Sequence, residues 1–212
     1  MLNNLLDKLK SKFELEYITS ETTKVSGMNF IIKQYYGKGL GNISTMEAIM
    51  PFGLMEMNSL IINPFEIDLP LLSCDRVKSF GKYTLYLEIY ETRIDSSTKP
   101  DFIKDLIKLN NEYSFKPKPA WYDNIRYSES IYMKTKRKDL EIIDKTINEF
   151  LNNYLKWSSI ANKCDINIKI KEARKYCEGL LEHGGPSTDT FIKNKGRDYT
   201  NNLYRNILFG TK

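Results

Sequence analysis

The sequence predicts an α+β fold, an α/β/α sandwich in which a central antiparallel sheet is flanked by helices. Three observations carry that expectation. Apolar residues recur with a period of about 2 through residues 28–91 and of about 3.6 after residue 138. The connections between most of the strand-like runs are of hairpin length, which joins antiparallel neighbours and leaves no room for crossover helices. The chain has 212 residues, 41% hydrophobic and 12% aromatic, enough for one core, so residues 1–212 read as a single domain.

Taken in order, residues 2–15 read as a short amphipathic helix with Leu2, Leu5, Leu6, Leu9 and Phe13 on one side. MNFIIKQYY (28–36) reads as a strand, and GKGLG (37–41) as a turn rather than a nucleotide loop, because it lacks the GxGxxG spacing. Strands follow at 44–50, 54–63 and 71–78. The clearest is KYTLYLEIYE (82–91), with Tyr83, Leu85, Leu87 and Ile89 on one face and Thr84, Tyr86, Glu88 and Tyr90 on the other. Pro100 opens a helix at 101–111, and a last strand lies near 128–135. Leu140, Ile143, Ile147, Phe150, Leu151 and Tyr154 then mark a helix at 138–160. A second, at 168–182, buries Ile168, Ala173, Tyr176, Cys177 and Leu180 and stops at Gly184-Gly185-Pro186; a terminal helix spans 188–208.

Composition removes several function classes. No stretch approaches about 18 uncharged apolar residues, and charge interrupts the N-terminal apolar residues, so neither a membrane span nor a signal peptide is expected. Three cysteines without a CxxC argue against a disulfide framework or zinc ribbon and favour a cytoplasmic setting. The single histidine, His183, excludes sites that need two imidazoles. Charge is uneven: residues 1–114 carry 13 Lys/Arg against 15 Asp/Glu, and residues 115–212 carry 19 against 12. A basic half suits an acidic protein, an anionic ligand or nucleic acid, or is simply solvated lysine; only charge speaks for nucleic acid. A monomer with no membrane partner is expected.

The most informative stretch is MEMNSLIINPFEIDLPLLSCDRVK (55–78), two strands around a Pro-bounded loop. If Asn63 pairs with Pro70, Asn58 falls directly opposite Asp75. An amide and a carboxyl facing each other on an apolar sheet surface are costly unless hydrogen-bonded or functional. Desolvation would raise the pKa of such a carboxyl and suit it to proton donation near neutral pH. The bland alternative places Asp75 at a strand end in water, with Asn58 capping a turn. Arg76 and Cys74 point to the opposite face by alternation. Trp121 and Trp157 are either ligand-stacking or core residues.

PFEIDLPLLSCDRV resembles the strand–loop–strand signature of the ferredoxin-dependent bilin reductases, and GPSTDTFIKNKGRDYTNNLYRNILF resembles that family's closing stretch. SESIYMK (128–134) is similar to its propionate-contacting strand, so the resemblance runs from about 28 to 209. It implies that Asp75 is the catalytic proton donor, that Asn58 holds the position occupied by His or Asn in the family, and that Lys134 replaces the propionate-binding Arg without its bidentate fork. Ser128 opens that strand and joins the implied binding set with Trp121, while Glu47 falls one position from an acidic site of some members. The family's second Asp aligns with Gly185, which puts four-electron chemistry in doubt. His183, two residues earlier, is either a substitute proton source or a solvated helix-end residue.

The resemblance further implies no bound cofactor and single electrons from reduced ferredoxin or flavodoxin, an acidic partner that would dock on a basic face. Lys134, Lys136, Arg137 and Lys138 are the densest such run, or else a solvated helix start. The expected activity is reduction of biliverdin or a dihydrobiliverdin through a bilin radical, as in phycobilin biosynthesis. Asn58 and the missing Asp lean towards one two-electron step, at the 15,16 methine bridge. The alternative is a non-catalytic tetrapyrrole-binding protein, or a reductase of another linear tetrapyrrole such as a chlorophyll catabolite.

Overall fold

The computed structural model describes every residue except Thr98, and of Pro186 only the backbone. Seven strands form one antiparallel sheet whose spatial order is the chain order: β1 (Leu15–Val25), β2 (Met28–Gly37), β3 (Gly41–Ile49), β4 (Met55–Pro64), β5 (Leu71–Ser79), β6 (Lys82–Tyr90) and β7 (Ile131–Lys136). The helices are α1 (Leu2–Lys10), the short α2 (Ile103–Leu106), α3 (Leu140–Ser158), α4 (Ile166–His183), α5 (Pro186–Lys195) and α6 (Arg197–Asn202), which runs into a π-helical turn at Leu203–Leu208. The α+β sandwich expected from the sequence is what forms.

Alternation sorts the sheet's side chains onto two cores. On one face Ile43, Leu60, Ile62, Leu72, Cys74, Leu85, Leu87 and Ile89 pack with α1, α2 and α3. On the other, Phe30, Ile32, Met46, Ala48, Leu71 and Tyr90 pack with α4, α5 and residues 203–209. Each helix presents its i, i+3, i+4 stripe: Ile143, Ile147, Phe150, Leu151 and Tyr154 of α3 are all at most 2% exposed. Asp165 caps α4, its carboxylate accepting from the amides of Asn167 and Ile168.

Several elements differ from expectation. The first helix is shorter than 2–15, because the chain turns at Ser11 and enters β1 at Leu15. That strand, LEYITSETTKV, is absent from the sequence reading; it is a sheet edge with mostly polar side chains, so no buried period announces it. The helix expected over 101–111 shrinks to α2 and one further turn. Gly196, at φ +86°, breaks the terminal helix in two. In α4 the inward residue is Lys169 rather than Ile168: Ile168 is 48% exposed, while Lys169 is fully buried. Its ammonium donates to the carbonyls of Leu69 and Thr92, both at 2.6 Å, and lies 3.5 Å from Asp68. Burial pushes its pKa down to about 8 despite Asp68.

The π turn is held from the sheet. Gln34 donates to the carbonyl of Asn206, Asn42 to Ile207 and Leu208, Ser44 to Leu208, and Asn63 to Phe209. Four polar side chains from β2, β3 and β4 thereby satisfy carbonyls that the helix end leaves free.

Candidate active site

In the β4–β5 hairpin the observed partners are Ser59 with Asp75 and Asn58 with Arg76. This register is one residue away from the expected one, and a one-residue slip sends a side chain to the other face. The connection explains the slip. Residues 65–70 form their own packed turn, with Phe65, Ile67 and Leu69 buried, Leu69 bonded to the Ile67 carbonyl, and Ile67 bridged to Lys163. Asn58 therefore lies on the α3 face, paired with Glu47 on its other side and with Arg76, which binds Asp144 of α3 at 2.7 Å. Neither Asn58 nor Glu47 shares a face with Asp75.

Asp75 lies on the α4 face, where its carboxyl is densely surrounded by protein but keeps some accessible surface. Burial lifts its pKa from 3.8 to about 6, and the charge of Glu88 adds to the rise; Ser59 and Ser73 act against it. Ser73 Oγ donates to Oδ2 at 3.3 Å. Ser59 is buried directly opposite Asp75, and its hydroxyl makes no hydrogen bond of good geometry, which leaves an orphan polar atom beside the carboxyl.

Around this carboxyl the helical cover is incomplete. Nearer β2 and β3 the face is buried, but Met55, Met57, Ile61, Ser73, Val77, Thr84 and Tyr86 stay half-buried. They floor a partly open strip walled by aromatic rings. Tyr86 and Tyr132 meet edge to face at 6.1 Å; Tyr90 stacks on Tyr176 at 4.2 Å and 27°; Trp121 and Tyr122 close the group. Burial raises the pKa of Tyr86, Tyr122, Tyr176 and Tyr204, and the Asp75 charge adds to the rise at each.

The strip holds a second, buried carboxylate. Glu88, opposite Ser73 on β6, accepts from Tyr90 Oη at 2.7 Å, Tyr132 Oη at 2.9 Å and Arg126 Nη1 at 2.9 Å. Arg126 also binds Asp123 at 2.5 Å and lies over the rings of Tyr122 and Tyr132. Strand alternation alone places Glu88 on this face without disclosing its role; a glutamate inside an otherwise apolar and aromatic strand is the available signal. Nothing in the local sequence marks Arg126.

The other candidates fall as follows. Lys134 is on the Asp75 face, exposed, two residues beyond Tyr132 on the edge strand. Trp121 packs against Tyr176 and donates from Nε1 to the Gly184 carbonyl at 3.0 Å. Trp157 belongs to the other core, tilted on Phe102. His183 is exposed at the end of α4, 5.3 Å from the Trp121 ring, so its line of contact to Glu88 runs through Trp121, Tyr176 and Tyr90. Ser128 is exposed and bonded to Glu129 and Lys99, outside the strip. Gly185 supplies only backbone, accepting from the Asp189 amide.

No protein-family model and no curated protein matches the chain. Among solved structures, the crystal structure of tomato phytochromobilin synthase in complex with biliverdin matches with a TM-score of 0.80. The match covers 99% of this chain and 82% of that one, at 10% identity. The two proteins share a fold. At this identity the likeness carries the architecture and leaves the chemistry to the residues of the strip.

Proposed function

We propose that this protein reduces a linear tetrapyrrole of the biliverdin type, with Asp75 as proton donor. The observation that carries the reading is a carboxyl with a pKa near 6 on a half-open, aromatic-walled strip, in a fold shared with a synthase crystallised with biliverdin. A flat conjugated ligand suits such a strip, with rings against its faces and a few polar groups along one line. Asp75 is in part protonated at neutral pH and can donate where an ionised surface aspartate cannot. A two-electron reduction needs two electrons and two protons. An external one-electron donor of the ferredoxin type supplies the two electrons in turn; Asp75 supplies one proton to the reduced pigment, is reprotonated from solvent, and then supplies the second. The charge of Glu88, which is held by Arg126 and two tyrosines, favours the protonated form of Asp75. Lys134, on the same face, provides a cation for a propionate.

The reading is tested by visible absorption on adding biliverdin, before and after anaerobic supply of photoreduced ferredoxin. The expected result is a shifted pigment band that bleaches and gives new maxima, and loss of the second change alone in Asp75→Asn. A shifted band that reduction leaves unchanged would make the protein a tetrapyrrole binder; no shift would overturn the reading.

A further inference from the structure

Two neighbouring hairpin tips are built from the same dipeptide. Phe52-Gly53 lies between β3 and β4, Phe80-Gly81 between β5 and β6, and all four residues have positive φ, at 61°, 63°, 47° and 74°. Left-handed backbone suits Gly and Asn, and Asn-Gly is the favoured sequence for such turns; a phenylalanine there is strained. Packing does not account for the choice. Phe52 is 98% and Phe80 83% exposed, the two most exposed large hydrophobic side chains among the described residues. The Phe80 amide donates to the Leu54 carbonyl at 3.3 Å, so the tips stand together, with Ile49 and Leu54 half-exposed beside them.

The surroundings are basic. Lys78 and Lys82 flank Phe80, and Lys78 Nζ lies beside Gly53. Lys82 is directly opposite Lys136 of β7, and Arg137 and Lys138 follow. Like charges paired across strands repel, which favours an anion at this corner. Carboxylates at this end include Glu56, held by Lys78, Asp139 and Glu141 at the start of α3, and Glu112, which with Asp139 acts on Tyr113 beside β7.

We propose that this end of the sheet is a peripheral contact surface for an anionic membrane, with Phe52 and Phe80 entering the boundary between headgroups and acyl chains and Lys82, Lys136, Arg137 and Lys138 meeting lipid phosphates. Protruding rings with a basic surround suit a lipid interface, whereas a stable protein partner needs about 800 Å² of matched surface on each side. No helix of the described residues is long and apolar enough to cross a membrane; the expectation of no membrane partner rests on that point, which does not bear on a surface contact. The proposal is independent of the tetrapyrrole reading.

The test is co-sedimentation with phosphatidylcholine vesicles, with and without phosphatidylserine, using the full chain. Phe52→Asn/Phe80→Asn keeps the turns in a preferred sequence, so thermal unfolding should show it at least as stable as the parent. The parent should associate with the phosphatidylserine vesicles, and the double variant about tenfold more weakly or worse. Lys82→Glu/Lys136→Glu or added salt should weaken association as well. No association of the parent, or undiminished association of the phenylalanine variant, would overturn the proposal. Retention on an immobilised acidic protein without vesicle binding would assign the tips to a protein partner and overturn it too.

Discussion

Replacing Asp75 with Asn should make the protein more stable at neutral pH while stopping turnover, because the carboxyl is held where its charge is disfavoured. Its pKa in the folded chain is about 6, against 3.8 for the free side chain. Between those values the native state binds more protons than the unfolded state, so this group's contribution to stability falls as pH rises and levels off above about 6. A separation of about two pH units corresponds to about 3 kcal/mol at most, and the solvent that still reaches the carboxyl lowers this to about 2 kcal/mol. An amide carries no charge and can still accept from Ser73. The two proteins should therefore be nearly equal in stability near pH 4 and differ by about 2 kcal/mol in favour of the variant above about pH 6.5, a melting-temperature gain of roughly 4–8 °C. Urea unfolding of both proteins across this range gives the difference directly. A variant that is less stable at neutral pH, or a difference that does not change with pH, would refute the assignment of a raised pKa to Asp75.

Three further outcomes follow from the geometry. Glu88→Gln should lower the Asp75 pKa by removing a neighbouring charge, so the stability gained on Asp75→Asn should develop at lower pH when Glu88→Gln is also present; an unmoved midpoint would show that Glu88 does not act on Asp75. Lys169→Ala strands the carbonyls of Leu69 and Thr92 and opens a void, costing about 2–4 kcal/mol in urea unfolding; relative to Lys169→Met, the parent should gain stability as pH rises from about 8 towards 10.5, where the unfolded chain holds the proton more tightly. In Gly179→Ala the added methyl would collide with the Trp121 ring, so Trp121 must leave its place against α4; an altered tryptophan emission with weakened pigment binding is expected, and an unchanged spectrum would show that Trp121 is not seated there.

Much of the fold is legible because strong alternation and a long apolar helical stripe each have one structural solution: β6 and α3 lie within about two residues of expectation. The edge strand β1 is not legible, since a strand without a buried face leaves no period. The site is half legible. Asp75 stands out because a carboxylate after LPLLSC has to be either solvated or special, and its alternation against Cys74 and Arg76 holds. Its partner is missed by one residue: the register depends on how much chain the β4–β5 turn uses, and the buried side chains of Phe65, Ile67 and Leu69 set that amount only once the tertiary contacts exist. Arg126, in a long connection, carries no local signal, and Lys169 runs against the usual rule that lysine faces water.

The strands follow one another through the sheet in the order in which they are synthesised, and five of the six pairings close through short turns. Most of the sheet can therefore form from neighbours along the chain, with little loop-closure entropy to overcome. What covers Asp75 comes last: α4, α5 and the π turn lie between residues 166 and 208. A nascent chain that has completed β7 and α3 is a sheet backed on one side and bare on the other, with Phe30, Ile32 and Met46 open to water and to other chains. The polar side chains of Gln34, Asn42, Ser44 and Asn63 wait on that bare face for the carbonyls that will dock there. The wall that α4 adds beside Asp75 is thus a late product of synthesis, and a chain interrupted before residue 166 would carry its carboxyl without Tyr176 and the helix that holds it.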